Sequence, residues 1–375
     1  MKHIFFLFLF CLTPIAVMAQ DDNVNVTMKM AKLDKPETPK NTQSKSDSDE
    51  IEAKTIETEI VPPLTYIGDM ETIRAEYEDT LLELGRKHNM GYVEMVAANP
   101  GVDPWLPGEN TKIILPKRHL LPDVPREGIV INLAEMRMYD FTENANNPRT
   151  YPLGVGREGL NTPLGITKIV RKKDGPSWRP TPRMRKENPD LPAVVPPGEE
   201  NPLGTHALYL GWPQYLIHGT HKPLGVGRRV SSGCIRMYPE DIIKVFGNIP
   251  VGTQVNVIKE PIKLAWIDDM LYLEAHAEDE LADSYEDIGA IKEYRVPETL
   301  FSQLFDVAGD QKDRLDWKAI RDEVKTRSGI PVAILNKKAG DPDVEITEEI
   351  LWEEKSEPAK EEKQDKQFKA LNLNS

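Results

Sequence analysis

Cysteine is nearly missing from this chain, whose 375 residues include two, Cys11 and Cys234. Cys11 lies in an N-terminal stretch that opens Met1-Lys2-His3, continues as an apolar run over 4–12 and ends Val17-Met18-Ala19. That is the pattern of a secretory signal (1–19) cleaved after a small residue. A lipid anchor on Cys11 is disfavoured by the bulky Phe10 before it. The mature chain is then expected to carry one thiol. In an oxidising compartment such a thiol has no internal partner, so Cys234 is either an inert buried residue or a working nucleophile. Long apolar runs are missing as well. The 4–12 run is too short to cross a bilayer comfortably and Thr13-Pro14 interrupts it, which argues against a membrane-spanning protein. Basic charge is in deficit, with 47 Lys and Arg against 61 Asp and Glu and a formal net charge of -14. Nucleic acid is therefore not expected as a main partner.

What is present gathers around Cys234. The stretch Leu216-Ile217-His218-Gly219-Thr220-His221 is followed by Val230-Ser231-Ser232-Gly233-Cys234-Ile235-Arg236-Met237. Gly233 would let backbone N–H groups approach a reacting carbonyl, and His218 follows an apolar run, as a base at the end of a strand would. Around this stretch, 128–133 and 136–141 flank a polar turn at Ala134-Glu135 and predict a hairpin. Further strands are predicted at 151–155, 165–170, 206–210, 215–217 and 254–258. Many short strands parted by Gly and Pro describe a mostly β domain, sandwich or barrel. One helix is expected over 239–246, opened by Pro239, Glu240 and Asp241, with Ile242, Ile243 and Phe246 facing inward. Cys234 would then sit on a short link between strand and helix. Eight prolines between Lys172 and Leu203, from Pro176 to Pro202, exclude a central strand or long helix there and predict a lid or binding loop. Trp178 and Arg179 on that loop are candidate substrate contacts, with surface packing as the alternative. A zinc site using His218, His221, His206 and Cys234 is a rival reading. It is disfavoured because Gly219-Thr220 suits a turn and neither a second cysteine nor a clear carboxylate ligand accompanies the histidines.

The flanks read differently. Residues 20–64 are polar and charged, too poor in large apolar residues to offset ordering entropy, and are expected to be a disordered linker. Within 65–117, Thr80 and Glu83 form a capping-box pair ahead of Leu81, Leu82 and Leu84. Tyr92, Val93, Val96 and Ala97 give a second helical face, Asn99-Pro100-Gly101 breaks it, and 111–116 reads as a strand. Beyond the strands, 268–336 is expected to be a mainly helical extension. Glu274 to Tyr294 is helix-compatible, Leu315, Trp317, Ile320 and Val324 suit one helical face, 327–330 ends that helix and 331–335 reads as a strand. Residues 337–375 are expected to be a disordered charged tail.

Two resemblances give these segments chemistry. Residues 65–117 resemble the LysM glycan-binding modules through Asp79-Thr80-Leu81, Asn99-Pro100, Leu106-Pro107-Gly108 and Ile113-Ile114-Leu115-Pro116, with Glu78 where that family usually has Gly. The resemblance implies a small α+β strand–helix–helix–strand domain that binds N-acetylglucosamine-containing glycan. Residues 127–259 resemble the L,D-transpeptidase (YkuD) catalytic domain. The matching residues are Asn161-Thr162-Pro163-Leu164-Gly165, Asn201-Pro202-Leu203-Gly204, Ile217-His218-Gly219-Thr220, Arg229 to Met237 and Asp241-Ile242. The layout resembles the periplasmic Gram-negative branch. It implies Cys234 as nucleophile, His218 as proton donor and acceptor, backbone N–H groups around Ser232, Gly233 and Cys234 as the oxyanion hole, and Gly219 as a backbone support for the imidazole. Ser232 stands where many members have His. Arg236 stands where other branches have Asn, either to bind a substrate carboxylate or to brace the turn.

The implied reaction is acyl transfer in two steps. Cys234 takes the diaminopimelate acyl group of a peptidoglycan tetrapeptide stem and releases D-alanine, and an amine then takes the acyl group. A second stem gives a 3-3 cross-link, a lysine of an outer-membrane lipoprotein gives an anchor, and water makes the enzyme a carboxypeptidase. Acylation by carbapenems is implied too, and no metal or organic cofactor is called for. The rival from another class is an inactive LysM-type wall-binding protein, which thiol reactivity would separate from the enzyme.

Overall fold

The computed structural model describes residues 64–277, 280–288 and 298–336. The signal (1–19), all but the end of the linker (20–64) and the charged tail (337–375) lie outside the described residues. The chain opens with β1 (Tyr66–Ile67), β2 (Glu71–Arg74), α1 (Leu81–Lys87), α2 (Tyr92–Ala98), β3 (Lys112–Leu115) and β4 (His119–Leu120). Strands β2 and β3 pair antiparallel with Ile73 opposite Ile113, and both helices fall between them in sequence. The Thr80 hydroxyl accepts the Glu83 N–H at 3.1 Å and starts α1, but the Glu83 carboxylate takes the Thr80 hydroxyl at 3.2 Å rather than its backbone amide. The capping box is thus half made, and the reciprocal arm appears one helix later, where the Gly91 N–H donates to Glu94 at 2.9 Å. Leu81, Leu82, Leu84, Tyr92, Val93, Val96 and Ala97 are all buried. Buried Asn99 ends α2 and ties it to β3, donating to the Met95 and Ile114 carbonyls and accepting the Ile114 N–H at 2.7 Å.

The central region runs β5 (Ile129–Asn132), β6 (Arg137–Asp140), β7 (Arg149–Pro152), β8 (Val155–Gly156), β9 (Gly165–Asp174), α3 (Pro182–Glu187), β10 (His206–Leu210), β11 (Leu216–His218), β12 (Arg229–Ser231), β13 (Ile235–Arg236), α4 (Pro239–Asn248) and β14 (Gln254–Ile258). Eight of the strands form one mixed sheet in the order β13-β11-β10-β9-β14-β5-β6-β7, and β8 pairs with β12 apart from it. The predicted hairpin is present, with Asn132 opposite Arg137 across the Ala134-Glu135 turn. The sheet curls until Gly154, just past the last strand, exchanges hydrogen bonds of 2.9 and 2.8 Å with Arg236 on the first. Between sandwich and barrel, the observed form is therefore a single curled sheet closed by one bridge. Helix α4 packs on it through Ile242 and Val245 with Phe246 half-buried, whereas Ile243, expected inward, is 51% exposed. At about 100° per residue the buried stripe runs 242, 245, 246 and 249, which carries 243 to the outside.

The C-terminal expectation needs correcting. Residues Ile262–Ile267 (β15) and Met270–Ala275 (β16) form a hairpin, so Glu274 belongs to a strand and not to the start of a helix. Asp268 adopts φ 50° in its tight turn. Helices α5 (Glu280–Ile288), α6 (Glu298–Ala308) and α7 (Trp317–Thr326) follow, and β17 (Val332–Ala333) returns to pair with β16. The extension is thus a three-stranded sheet with helices. Its core holds Leu271, Leu273, Leu300, Leu304, Leu315, Ile320 and Val324 together with Leu120 of β4. Arg327 at φ 52° caps α7 and accounts for its predicted end.

A buried polar cluster joins these parts. The Lys263 ammonium on β15 lies 2.6 Å from Glu274 on β16 and 3.1 Å from Glu135 in the β5–β6 turn, and donates to the Leu120 carbonyl at 2.7 Å. Burial opposes its charge, but Glu135 and Glu274 outweigh that and raise its pKa. Arg137 on β6 pairs with Glu94 on α2 at 2.6 Å, both nearly inaccessible. His119, Glu135 and Glu274 converge in the manner of metal ligands, but the Lys263 ammonium already sits on both carboxylates. Lys263→Met would leave those carboxylates uncompensated in the interior. It is expected to destabilise the fold by about 3–5 kcal/mol in denaturant unfolding, where exposed ion pairs give ~1 kcal/mol or less.

Candidate active site

The site is built by two short strands. β11 and β13 run parallel with Ile217 opposite Ile235 and His218 opposite Arg236. Because strand side chains alternate, Ile217 and Ile235 point into the core, where both are buried. Leu216, His218, Cys234 and Arg236 share the other face and line one cleft of about 680 Å³. Cys234 lies between β12 and β13, so a two-residue strand separates it from α4 where the sequence suggested a direct strand-to-helix link.

Trp178, Arg179 and Ser232 line the same cleft. The first two reach it on the proline-rich segment, which begins after β9 and contains α3, started by the Thr181 hydroxyl accepting the Met184 N–H. Trp178 and Val195 form a bridge across this segment. Inaccessible Asn201 fastens it, donating to the Pro176 carbonyl at 2.8 Å and the Pro196 carbonyl at 2.9 Å while accepting the Leu203 N–H at 2.9 Å. Gly204, at φ +64°, has no room for a Cβ, which would lie 2.6 Å from the Thr220 nitrogen.

His218 is buried, with Nδ1 at 2.5 Å from the Gly219 carbonyl oxygen. A carbonyl only accepts, so Nδ1 carries the hydrogen and Nε2 keeps its lone pair for the cleft. Burial, then the positive charge of Arg236, push the imidazole pKa down to about 3 against the help of the Gly219 bond. It is neutral at pH 7. Gly219 also permits α4 to approach, since a Cβ there would lie 2.9 Å from Ile242 Cγ2.

The Cys234 thiol donates to the Gln214 carbonyl at 3.4 Å. Burial raises its pKa, with the Leu216 amide and Arg236 pulling the other way. Thiol and imidazole are therefore both uncharged at rest. Gln214 holds that carbonyl in a left-handed turn, φ 70°.

The nucleophile loop is fixed by residues that the sequence did not single out. The Ser231 hydroxyl donates to the Cys234 carbonyl and accepts the Gly233 N–H at 3.1 Å, and buried Thr162 donates to the Gly233 carbonyl at 3.0 Å. Of the amides expected to form the oxyanion hole, that of Gly233 thus already has a partner in the Ser231 hydroxyl. Gly233 itself is needed at φ +98°, where a Cβ would meet Tyr215 at 3.0 Å. Ser231 and Thr162 stood inside the quoted motifs, but only the folded loop shows what they hold. Gln214 carried no signal of residue type, since it acts through its carbonyl.

The histidines of the zinc reading do not converge. His206 lies at 2.8 Å from the Thr205 hydroxyl, 3.5 Å from Asp174 and against the Phe246 ring. His221 borders a different pocket, with Asp174 and Pro197. Among the described residues no carboxylate pairs with Arg236, which is half-buried beside Cys234.

Residues 126–257 match the family model described as the L,D-transpeptidase catalytic domain. The chain is 38% identical to the probable L,D-transpeptidase ErfK/SrfK of Salmonella typhimurium over 276 residues, which cover 72% of this chain and 87% of that protein. It is 42% identical to the probable L,D-transpeptidase YbiS of Escherichia coli over 66% of this chain and 81% of that one. With the probable L,D-transpeptidase YcfS of Escherichia coli it shares 43% identity over 50% of this chain and 61% of that protein.

Proposed function

The chain belongs to the L,D-transpeptidase family, and on that footing we propose that it is a periplasmic enzyme whose Cys234 and His218 transfer the acyl group of a peptidoglycan tetrapeptide stem to an amine. The carrying observation is the shared face of β11 and β13, which presents to one cleft a thiol, a neutral imidazole and a cation that pairs with no carboxylate among the described residues.

The resting charges define the first step. With the thiol pKa raised and the imidazole pKa lowered, a standing thiolate–imidazolium pair is disfavoured, so His218 Nε2 removes the proton as sulfur attacks the diaminopimelate carbonyl. The C–N bond to the terminal D-alanine then breaks, and the imidazolium returns that proton to the departing amine. The incoming amine attacks the thioester, gives its proton to His218, and the departing sulfur recovers it. The Ser232 and Cys234 amides serve the oxyanion, given that Gly233 is committed to Ser231. Arg236 holds a stem carboxylate, a role supported by its half-buried, carboxylate-free position.

The acceptor is the side-chain amine of a second stem or a lysine of an outer-membrane lipoprotein, and water in its place yields the tripeptide. The 65–117 module holds the enzyme on glycan, a reading favoured by its strand–helix–helix–strand order and by Tyr77 and Trp105, 81% and 53% exposed on its loops. The test is incubation of the full chain with diaminopimelate-containing disaccharide tetrapeptides and mass spectrometry of protein and products. A thioester on Cys234 with loss of D-alanine is expected. A thiol that reacts with neither stem nor carbapenem would instead leave a wall-binding protein.

A further inference from the structure

The cleft differs from the rest of the molecule in charge. The chain carries a net -14, with 61 acidic residues. Yet among the described residues lining the cleft there is no Asp or Glu, while Arg179, Arg183 and Arg236 all border it. Two of these arginines lie on the proline-rich segment and one lies on β13, so they border the cleft from two separate elements. Arg179 is exposed and has no hydrogen-bond or ion-pair partner among the described residues. Arg183 pairs with Glu187 at 2.6 Å, an exposed i,i+4 contact with the cation on the N-terminal side, the weaker orientation for a helix. Such a contact yields readily to a carboxylate offered by a ligand, because a guanidinium fork matches two carboxylate oxygens.

Resting on the proposed reaction, we infer that Arg179 and Arg183 make the enzyme selective for stems whose side carboxylates are free, and against stems in which they are amidated. An unamidated stem offers carboxylates on glutamate, on diaminopimelate and at its terminal alanine. Arg236 lies two residues from Cys234 on β13, and Arg179 and Arg183 line the same cleft from the proline-rich segment, so a stem seated at Cys234 has cations within the cleft for more than one of its carboxylates. Amidation removes the charge and replaces one of the two acceptor oxygens by an N–H2 donor, so a guanidinium fork keeps at most one of its two hydrogen bonds and loses the ion pair. The absence of a lining carboxylate works in the same direction, since the exposed Glu187 contact of Arg183 is the one carboxylate that a stem would have to displace from this pair of arginines among the described residues.

The test separates binding from turnover. Free and amidated disaccharide tetrapeptides are titrated calorimetrically into the full chain bearing Cys234→Ala, and D-alanine release is followed with the unaltered chain. The free stem is expected to bind about ten-fold more tightly than the amidated one, the scale of one exposed charge-assisted contact. Raising the salt concentration should narrow the gap. Arg179→Gln with Arg183→Gln should erase the preference while leaving the melting transition in place, because Arg179 is exposed and Arg183 gives up only an exposed ion pair. Equal affinity for the two stems, or a preference that survives the double substitution, overturns the inference. Discrimination in binding without D-alanine release sustains the carboxylate selectivity and refutes the proposed reaction alone.

Discussion

Cys234→Ala is expected to reduce transfer to background, a fall of about 10⁶, because a double displacement has no second route once its nucleophile is gone. The fold should survive. The side chain is small and half-buried, and its polar contacts are weak thiol ones, to the Gln214 carbonyl at 3.4 Å and the Leu216 amide. The loop that carries it is held by Ser231 and Thr162 acting on backbone atoms that alanine retains. A loss of about 1 kcal/mol or less is therefore expected in unfolding experiments. D-alanine release and the mass of the protein after exposure to stem peptides measure the effect. Retained turnover in a folded variant would refute Cys234 as nucleophile.

His218→Ala is expected to cost about 10²–10⁴ in the rate of D-alanine release, the range of a positioned general base. Its effect should exceed that of His221→Ala, since His221 borders a different pocket. Near-normal rates in the His218 variant would require another base. The lowered imidazole pKa adds a second readout. With a value of about 3, the imidazole stays neutral from pH 5 to 8, and the acylation rate should be level across that interval. A limb with a midpoint at about 6.5, the ordinary histidine value, would show that the ring is solvated. Stability carries the same signature. Below about 6.5 the unfolded chain binds a proton that the folded imidazole refuses, so the folded state loses stability as the pH falls toward 3. The His218→Ala protein should lose less over that interval, which melting curves at several pH values would register.

The central strands were readable because each is a short apolar run bounded by turn residues, and 206–210 and 254–258 recur unchanged as β10 and β14. The β15–β16 hairpin was not. Its strands alternate poorly, Lys263 and Glu274 point inward, and their acceptability depends on Glu135 and Leu120, more than a hundred residues earlier. No local pattern reports a charge neutralised at that separation. Ile243 was misplaced for a simpler reason: an apolar side chain gives no sign of which face of α4 it will occupy until the helix has docked. In the site, cysteine and histidine declared themselves by residue type. Ser231 and Thr162 act on main-chain atoms, and the availability of the Gly233 amide turned on one hydroxyl two residues away.

The bridge that closes the sheet has a consequence for how a peptide enters. Arg236 presents its backbone N–H and carbonyl to Gly154, and β13 is paired with β11 along its other side. Both margins of β13 are therefore engaged, so an extended stem cannot lie down as an added strand along β13 and draw affinity from main-chain hydrogen bonds there. Recognition beside β13 then falls to the side chains that line the cleft, those of the proline-rich segment among them. Stereochemistry is then less constrained than it would be by a β ladder, whose register favours L-residues on both sides. A substrate that mixes D- and L-centres is suited to such an entrance.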